Sequence, residues 1–199
     1  ITADFLTSSV LGREPVFSFA VHGSLPQQYY WMLLMLGILL GIMGAFYNWF
    51  TLKVQTLYQN ASRLNTFTRL LIPFLLAGIL GFTMPELLGS GGNLVLLKFL
   101  YSAISFGSGA PGGIFFPLLV LGSLLGGIFG MICVDAFGLP PEYLNNFVLL
   151  AMAGYFTAIV RAPLTGIILI FEMTGSLSQL LSLTTISIVA YVTATLLKS

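Results

Sequence analysis

The sequence predicts an all-helical integral membrane protein in which several helices are broken or re-entrant. Its 199 residues are 57% hydrophobic and only 7% charged, whereas a soluble domain carries about 25% charged residues. Residues 29–50 form an apolar segment long enough to cross a bilayer, but residues 95–106 are too short to do so alone. Four glycines and two prolines then interrupt the apolar pattern over residues 107–117. Non-helical backbone at membrane depth must be buried in protein or line a polar pathway, as it does in channels and secondary transporters.

The composition argues against several other classes of protein. The formal net charge is only +1, so we expect no nucleic-acid partner, because such partners require a basic surface. The single cysteine, Cys133, lies in an apolar run, which predicts neither a disulfide framework nor a thiol-rich metal site. We predict no metal and no cofactor. The chain opens at Ile1 without an initiator Met or the basic start of a signal peptide, so we expect it to be a piece of a longer polypeptide.

Apolar segments follow one another along the whole chain. The first, residues 29–50, opens with Tyr29-Tyr30-Trp31, and aromatic residues prefer the membrane interface. An amphipathic stretch over residues 53–69 is expected to prolong this helix beyond the bilayer. The later apolar segments are residues 70–84, 95–106, 116–134, 147–160, 163–174 and 180–197. Several are shorter than a bilayer is thick, which favours broken helices over simple spans.

Glycines recur at helical spacing in two of these segments. Such stripes let helix backbones approach one another closely. The pattern predicts tight packing within one subunit, with a subunit interface as the alternative. The residues concerned are Gly37, Gly41 and Gly44 in the first segment, and Gly122, Gly126 and Gly130 in a later one.

The break at residues 107–117 has the residue types of a small-anion site. Gly112 and Gly113 let the backbone bend so that successive amides converge. Pro117 suits the first position of the following helix, where its missing N–H costs nothing. The alternative from spacing alone is an ordinary Gly/Pro turn between packed helices.

Backbone amides are the predicted anion ligands. Ile114, Phe115 and Phe116 would donate from a helix N-terminus, which carries a partial positive charge. Neither Lys nor Arg occurs within residues 107–117. A site made of dipoles alone binds an anion and still lets it leave, as conduction requires.

Two stretches of the sequence closely resemble a known family. Residues 107–117, Gly-Ser-Gly-Ala-Pro-Gly-Gly-Ile-Phe-Phe-Pro, resemble a selectivity-filter signature of the CLC chloride channels and chloride/proton antiporters. Residues 161–174, Arg-Ala-Pro-Leu-Thr-Gly-Ile-Ile-Leu-Ile-Phe-Glu-Met-Thr, resemble a second block of that family. Tyr47-Asn48 and residues 90–93 match it more loosely. The resemblance covers essentially the whole chain, but only the second half of the family's fold.

The resemblance implies that residues 1–199 form the C-terminal half of an all-helical fold of two inverted halves. It implies transmembrane chloride transport without covalent chemistry, by a voltage-gated-type channel or a chloride/proton antiporter. In that family the amides that match Ile114 and Phe115 bind the central chloride, and the amide that matches Phe116 lines the outer site. The resemblance also implies a homodimer that pairs through residues 163–197, in a bacterial inner membrane.

Parts of the family's site do not occur in this sequence. The first filter segment with its serine, the gating glutamate and the internal proton-relay glutamate belong to the other half of the fold. The tyrosine that contacts the central ion would follow Ser199. The sequence therefore leaves open whether the complete protein is a channel or an exchanger, and which anion it prefers.

The resemblance also predicts a missing segment near residues 93–98. The family has a further helix between the positions of Asn93 and Gly107, and this chain has too few residues for it. Continuous electron density through an ordinary peptide bond in this region would refute the prediction.

Three other hypotheses remain open from the sequence. Another secondary transporter with discontinuous helices would hold a larger substrate at the same helix terminus. Ser108 between two glycines suggests an intramembrane serine hydrolase with His22, the only histidine, as its base, although a loop or helix-capping serine is favoured. A purely structural membrane subunit would carry no flux. Arg161 and Glu172 are ionisable residues in apolar surroundings, and we interpret both as structural.

Overall fold

The computed structural model describes residue 23 and residues 25–61, 65–83, 95–109, 115–174 and 177–197. Every regular element in these ranges is a helix, as predicted. The seven α-helices are α1 (Tyr30–Asn60), α2 (Thr66–Thr83), α3 (Val95–Gly107), α4 (Phe115–Phe137), α5 (Leu144–Val160), α6 (Pro163–Thr174) and α7 (Leu180–Leu196). Short 3₁₀ turns precede three of them, at Gln27–Tyr29, Pro141–Tyr143 and Leu177–Gln179.

Helices long and apolar enough to cross a membrane alternate with shorter ones. The long segments within the described ranges are Gln27–Asn60, Phe115–Phe137 and Pro141–Val160. Helix α1 has 31 residues, which is about 46 Å at 1.5 Å per residue. It therefore extends beyond a hydrocarbon core about 30 Å thick. The predicted prolongation of the first helix is confirmed as far as Asn60, where α1 ends.

Helix α5 is longer than the sequence predicted. The apolar pattern placed its start at residue 147, but the helix begins at Leu144, directly after a 3₁₀ turn. The polar residue Asn146 is fully buried inside the helix, and its side-chain amide donates to the carbonyl of Gly23 at 3.5 Å. The side-chain amide of Gln179 donates to the same carbonyl. A buried polar group with a hydrogen-bond partner can lie inside a helix, which the apolar pattern alone does not reveal.

Helix α5 is the buried centre of this structure. Twelve of its residues are buried, and it packs against α1, α4, α6 and α7. Helix α4 runs antiparallel to it, since Gly122 lies against Met152 whereas Gly130 lies against Phe147. The first turn of α4 therefore lies beside the last turns of α5.

Glycines permit the closest helix contacts. A Cβ atom at Gly41 would lie 2.5 Å from the Cβ of Thr193 on α7, and one at Gly126 would lie 2.5 Å from the Cβ of Ala151 on α5. Real Cβ atoms do not approach so closely, so only glycine fits without a shift of the neighbouring helix. Similar close contacts occur at Gly37, Gly44 and Gly122. The predicted packing within one subunit is confirmed at these positions.

The predicted missing segment lies largely outside the described residues. Residues 84–94 are not described, and the chain is described again from Val95, the first residue of α3. The missing segment therefore stays a prediction.

Gly126→Ala should lower the free energy of unfolding by about 1–3 kcal/mol, the usual cost of overpacking a close contact. Gly127→Ala is the matched control, because a Cβ at this neighbouring position meets its nearest heavy atom only at 3.9 Å. Alanine is also the better helix former, so the control should be neutral or stabilising. Thermal unfolding of the detergent-solubilised protein, followed by circular dichroism, measures both. Equal melting temperatures for the two variants would contradict the close packing of α4 on α5.

Candidate functional site

The candidate site is the N-terminus of α4. The helix begins at Phe115, so the amides of Phe115 and Phe116 have no acceptor within the helix. A helix N-terminus carries a partial charge of about half a positive elementary charge. Ile114, Gly112 and Gly113 lie outside the described residues, so their roles stay predictions.

Pro117 does not begin the helix, contrary to the prediction. It is the third residue of α4, after Phe115 and Phe116. The reason is that the first N–H groups of any α-helix lack an intrahelical acceptor, so a proline anywhere in the first turn removes no hydrogen bond. As a consequence, the amides of both phenylalanines belong to the helix and share its direction.

The side chain of Phe115 fixes the start of α4 against α5. Its ring meets that of Phe156 edge to face, with 5.6 Å between the ring centroids. It meets the ring of Phe116 in the same way at 5.5 Å. Phe156 is buried, whereas Phe116 is 63% exposed. Aromatic packing therefore sets the position of the Phe115 amide, whereas the side chain of Phe116 is largely exposed.

A turn at Ser108 and Gly109 ends α3, before the site in the sequence. The N–H of Ser108 donates to the carbonyl of Ile104 at 3.2 Å, and its Oγ donates to the carbonyl of Ser105 at 2.7 Å. Gly109 follows with φ = 77°, a conformation that glycine adopts without strain. Ser108 thus terminates a helix, which gives no support to a hydrolase. His22 lies outside the described residues.

A cavity of about 290 Å³ lies between α2, α3 and α4, beside the candidate site. Phe116 and Pro117 of α4 form part of one wall. The lining residues on α3 include Lys98 and three residues that carry hydroxyl groups, Tyr101, Ser102 and Ser105. These four residues were not among the predicted site residues, although residues 98, 101, 102 and 105 follow the i, i+3, i+4, i+7 spacing of one helix face.

Tyr47 and Asn48 link α1 to the two helices that frame the site. The hydroxyl of Tyr47, a residue only 2% exposed, is hydrogen-bonded to Oγ of Ser102 on α3 at 3.0 Å. Nδ2 of Asn48 donates to the carbonyl of Ile159 in the last turn of α5 at 3.2 Å. Tyr47 therefore links α1 to α3, and Asn48 links α1 to α5.

Arg161 makes structural contacts, whereas the structural role of Glu172 stays a prediction. Arg161 follows α5 with φ = 62°, a left-handed conformation that is uncommon outside glycine. Its guanidinium donates to the carbonyl of Ala194 at 3.1 Å and to Oγ1 of Thr195 at 3.3 Å. These bonds tie the end of α5 to the last turn of α7, where helix carbonyls lack partners. Glu172 is exposed, two residues before the end of α6.

Comparisons with known sequences point to one family. The family model described as voltage gated chloride channel matches residues 1–195. The H(+)/Cl(−) exchange transporter ClcA of Klebsiella pneumoniae subsp. pneumoniae is 36% identical over 192 residues, covering 85% of this chain and 40% of that protein. The protein of the same name from Klebsiella pneumoniae strain 342 is 35% identical with the same coverage. This chain thus spans about two fifths of the length of these relatives.

Solved structures share the fold. A slow cyanobacterial Cl−/H+ antiporter matches with a TM-score of 0.85 and 28% identity, covering 98% of this chain and 50% of that one. A CLC-type fluoride/proton antiporter matches with a TM-score of 0.71 and 24% identity, covering 94% of this chain and 49% of that one, and this likeness concerns the fold alone. The predicted half-fold agrees with these coverages.

Arg161→Ala should destabilise the protein by about 1–2 kcal/mol, because hydrogen bonds from a charged donor are lost at a partly exposed position. Arg161→Gly loses the same bonds but fits φ = 62° without a Cβ penalty, so it should be more stable than Arg161→Ala by about 1 kcal/mol. Thermal unfolding of the three proteins measures this order. A glycine variant less stable than the alanine variant would contradict the left-handed backbone at residue 161.

Proposed function

The chain belongs to the voltage-gated chloride channel (CLC) family, and we propose that it forms the C-terminal half of a chloride/proton antiporter. The observation that carries this proposal is the start of α4, where the amides of Phe115 and Phe116 have no acceptor within the helix. The described helices are apolar enough for an integral membrane protein. A bacterial inner membrane is the proposed location, in keeping with the bacterial relatives.

Backbone amides replace the water that the anion loses. In the proposed site the N–H groups of Ile114, Phe115 and Phe116 point at the ion, and the helix dipole adds a partial positive charge. Full charges within hydrocarbon are expensive, and a fixed cation at the same point would hold chloride too tightly for transport. Donors that carry only partial charge bind the ion and release it.

The flanking residues make this backbone geometry accessible. Gly112 and Gly113 are proposed to let the chain turn sharply before the helix. Pro117 lies in the first turn of α4, where it leaves the preceding amides available and cannot compete as a donor. The ring of Phe115 packs on Phe156, so the first helical amide is held rigidly before the ion arrives.

Proton exchange is favoured over simple conduction by the relatives. Both ClcA proteins are named as H(+)/Cl(−) exchange transporters, and the cyanobacterial structure is that of a Cl−/H+ antiporter. The complete activity needs the other half of the fold, since this chain spans about two fifths of those relatives.

We also propose that residues 163–197 pair two subunits in a homodimer. Helices α6 and α7 expose large apolar side chains, which include Leu164, Ile168, Leu181, Ile188 and Leu196. In a membrane such side chains can face either lipid or a second subunit, so exposure supports the proposal without distinguishing the two.

The proposed missing helix near residues 93–98 also has support in the comparisons. The alignment with ClcA runs over 192 positions but uses only 85% of this 199-residue chain. The chain therefore contributes fewer residues than the alignment has positions. A deletion between α2 and α3 would account for this difference.

The parent polypeptide, reconstituted in proteoliposomes, should release chloride while protons are taken up in a fixed ratio. Chloride efflux and external pH are recorded together, and light scattering on the same sample gives the mass of the assembly. Chloride efflux without proton movement would contradict exchange, and a monomeric mass with full transport would contradict the dimer. An absence of chloride movement in folded, dimeric protein would contradict chloride as the transported ion.

Phe115→Pro should slow chloride transport at low chloride by roughly ten- to a hundredfold, because it deletes a hydrogen-bond donor to a charged ligand. Proline is tolerated at the first helical position, and Phe115 occupies that position, so the helix itself should form. Phe115→Ala is the matched control, since it removes the ring and keeps the amide. Wild-type transport by Phe115→Pro would contradict the proposed site.

A further inference from the structure

We propose that a buried water molecule bridges α1 and α5, held by the hydroxyl groups of Tyr155, Tyr47 and Thr51. The proposal concerns the helical core and does not depend on which ion is transported. Its starting point is Tyr155, a fully buried residue of α5 whose hydroxyl has no hydrogen-bond partner within the described part of the chain. Buried hydroxyl groups nearly always have a partner, either in the protein or in an ordered water molecule.

Tyr47 on α1 is a neighbour of Tyr155. The two rings meet edge to face, with 6.4 Å between their centroids, whereas the rings of Tyr47 and Phe99 meet in the same way at 5.2 Å. The two phenol groups are close enough to interact electrostatically, but the hydroxyl of Tyr155 makes no hydrogen bond to that of Tyr47. The centroid distance lies near the upper end of the range for aromatic pairs, about 4.5–7 Å. The two tyrosines are therefore neighbours that no direct bond joins.

The positions of both tyrosine side chains are fixed by their surroundings. The hydroxyl of Tyr47 is hydrogen-bonded to Oγ of Ser102 at 3.0 Å. The Cβ of Tyr155 is close to α4, since a Cβ atom at Gly122 would lie only 3.2 Å from it. A tyrosine hydroxyl moves only with its ring, and a packed interior leaves the ring little freedom. A direct bond between the two hydroxyls would require a shift of the helices, so a small molecule between them is the simpler partner.

The direction of the hydrogen bonds leaves the hydroxyl oxygen of Tyr47 as an acceptor. Ser102 Oγ donates its proton to the carbonyl of Phe99 at 3.1 Å. A serine hydroxyl has one proton, so Tyr47 must be the donor in its bond to Ser102. The oxygen of Tyr47 can therefore accept a further hydrogen bond, but it has no second proton to donate.

Thr51 supplies the third hydroxyl. It lies four residues after Tyr47, on the same face of α1, and its hydroxyl is close enough to interact with that of Tyr47. Other threonines of the described helices, such as Thr56 and Thr193, donate to the carbonyl four residues earlier at 2.8 Å. The buried hydroxyl of Thr51 makes no such bond. It is therefore available to a partner that lies beside Tyr47.

One water molecule can satisfy these three hydroxyl groups. It would accept the proton of Tyr155, donate to the oxygen of Tyr47 and form a third bond with Thr51. A buried water typically makes about three hydrogen bonds. The groups of this cluster are uncharged, so an ion would be buried without a countercharge, and an apolar molecule would leave the hydroxyls unpaired. The water would add a second polar link between α1 and the last turns of α5, beside the bond from Asn48 to the carbonyl of Ile159.

A crystal structure of the complete parent protein, at a resolution that shows ordered water, tests the site directly. We expect a density peak about 2.7–3.0 Å from the hydroxyl oxygens of Tyr155 and Tyr47. In Tyr155→Phe this peak should disappear while the bond between Tyr47 and Ser102 remains. A direct bond between the two tyrosine hydroxyls would overturn the proposal. So would a map that shows other buried water molecules but none at this position.

Thermal unfolding of the same protein tests the site in solution. Tyr155→Phe should lower the melting temperature by roughly 1–3 °C, because it removes a hydroxyl group that is hydrogen-bonded. Removal of an unpaired buried hydroxyl would raise the melting temperature instead, since such a group destabilises the folded state. Tyr58→Phe is the matched control on α1, because its side chain is partly exposed, and the change should be below about 1 °C. A Tyr155→Phe protein that melts at or above the wild-type temperature would overturn the water site.

Thr51→Val tests whether the hydroxyls share one water molecule, because valine resembles threonine in shape but has no hydroxyl. The double variant with Tyr155→Phe should change the melting temperature by clearly less than the sum of the two single changes. The reason is that the second substitution acts on a water that the first has already removed. Strictly additive changes would overturn the bridge between α1 and α5.

Discussion

A helix can be buried on all sides only if its neighbours come close enough to leave no void. Helix α5 meets this condition because the surrounding helices present glycine at several points of closest contact. At Gly126 a single added carbon would lie 2.5 Å from Ala151, and at Gly122 it would lie 2.9 Å from the Cα of Met152. Van der Waals packing replaces the hydrophobic effect between helices in a membrane, so these approaches are a principal source of cohesion. The candidate site at the start of α4 is packed on α5.

The start of α4 illustrates this dependence. Its backbone is set by the antiparallel contact with α5 and by the ring of Phe115 on Phe156. The end of α5 that lies beside the start of α4 is in turn held by Asn48 from α1 and by Arg161, which reaches the last turn of α7. Three helices thus contribute to the placement of one short run of amides. A preorganised site of this kind spends little free energy on ordering when the ion binds.

The sequence predicted the class of fold and the location of the site from separate kinds of signal. The lengths of the apolar segments predicted the helices, and the spacing of the glycines predicted close helix contacts. Both predictions follow directly from helix geometry. The start of α4 was placed two residues late, since Pro117 fits several first-turn positions equally well. The start of α5 was missed because the buried side-chain amide of Asn146 donates to the carbonyl of Gly23, a contact between residues distant in the chain. Residues 98, 101, 102 and 105 of α3 follow a helical spacing in the sequence. That they line a cavity together with Phe116 and Pro117 of α4 is seen only in the three-dimensional structure.

The antiparallel packing of α4 on α5 also shapes the electric field at the site. It sets the positive end of one helix dipole beside the negative end of another. The potential of two such opposed ends declines with distance faster than that of either end alone, because at long range they cancel. This cancellation sets in only beyond the spacing of two packed helix axes, about 8–10 Å. Within that distance the amides at the start of α4 still attract an anion, and beyond it the net field of the two helix ends is small, so the helix pairing that builds the site also confines its attraction to the immediate surroundings.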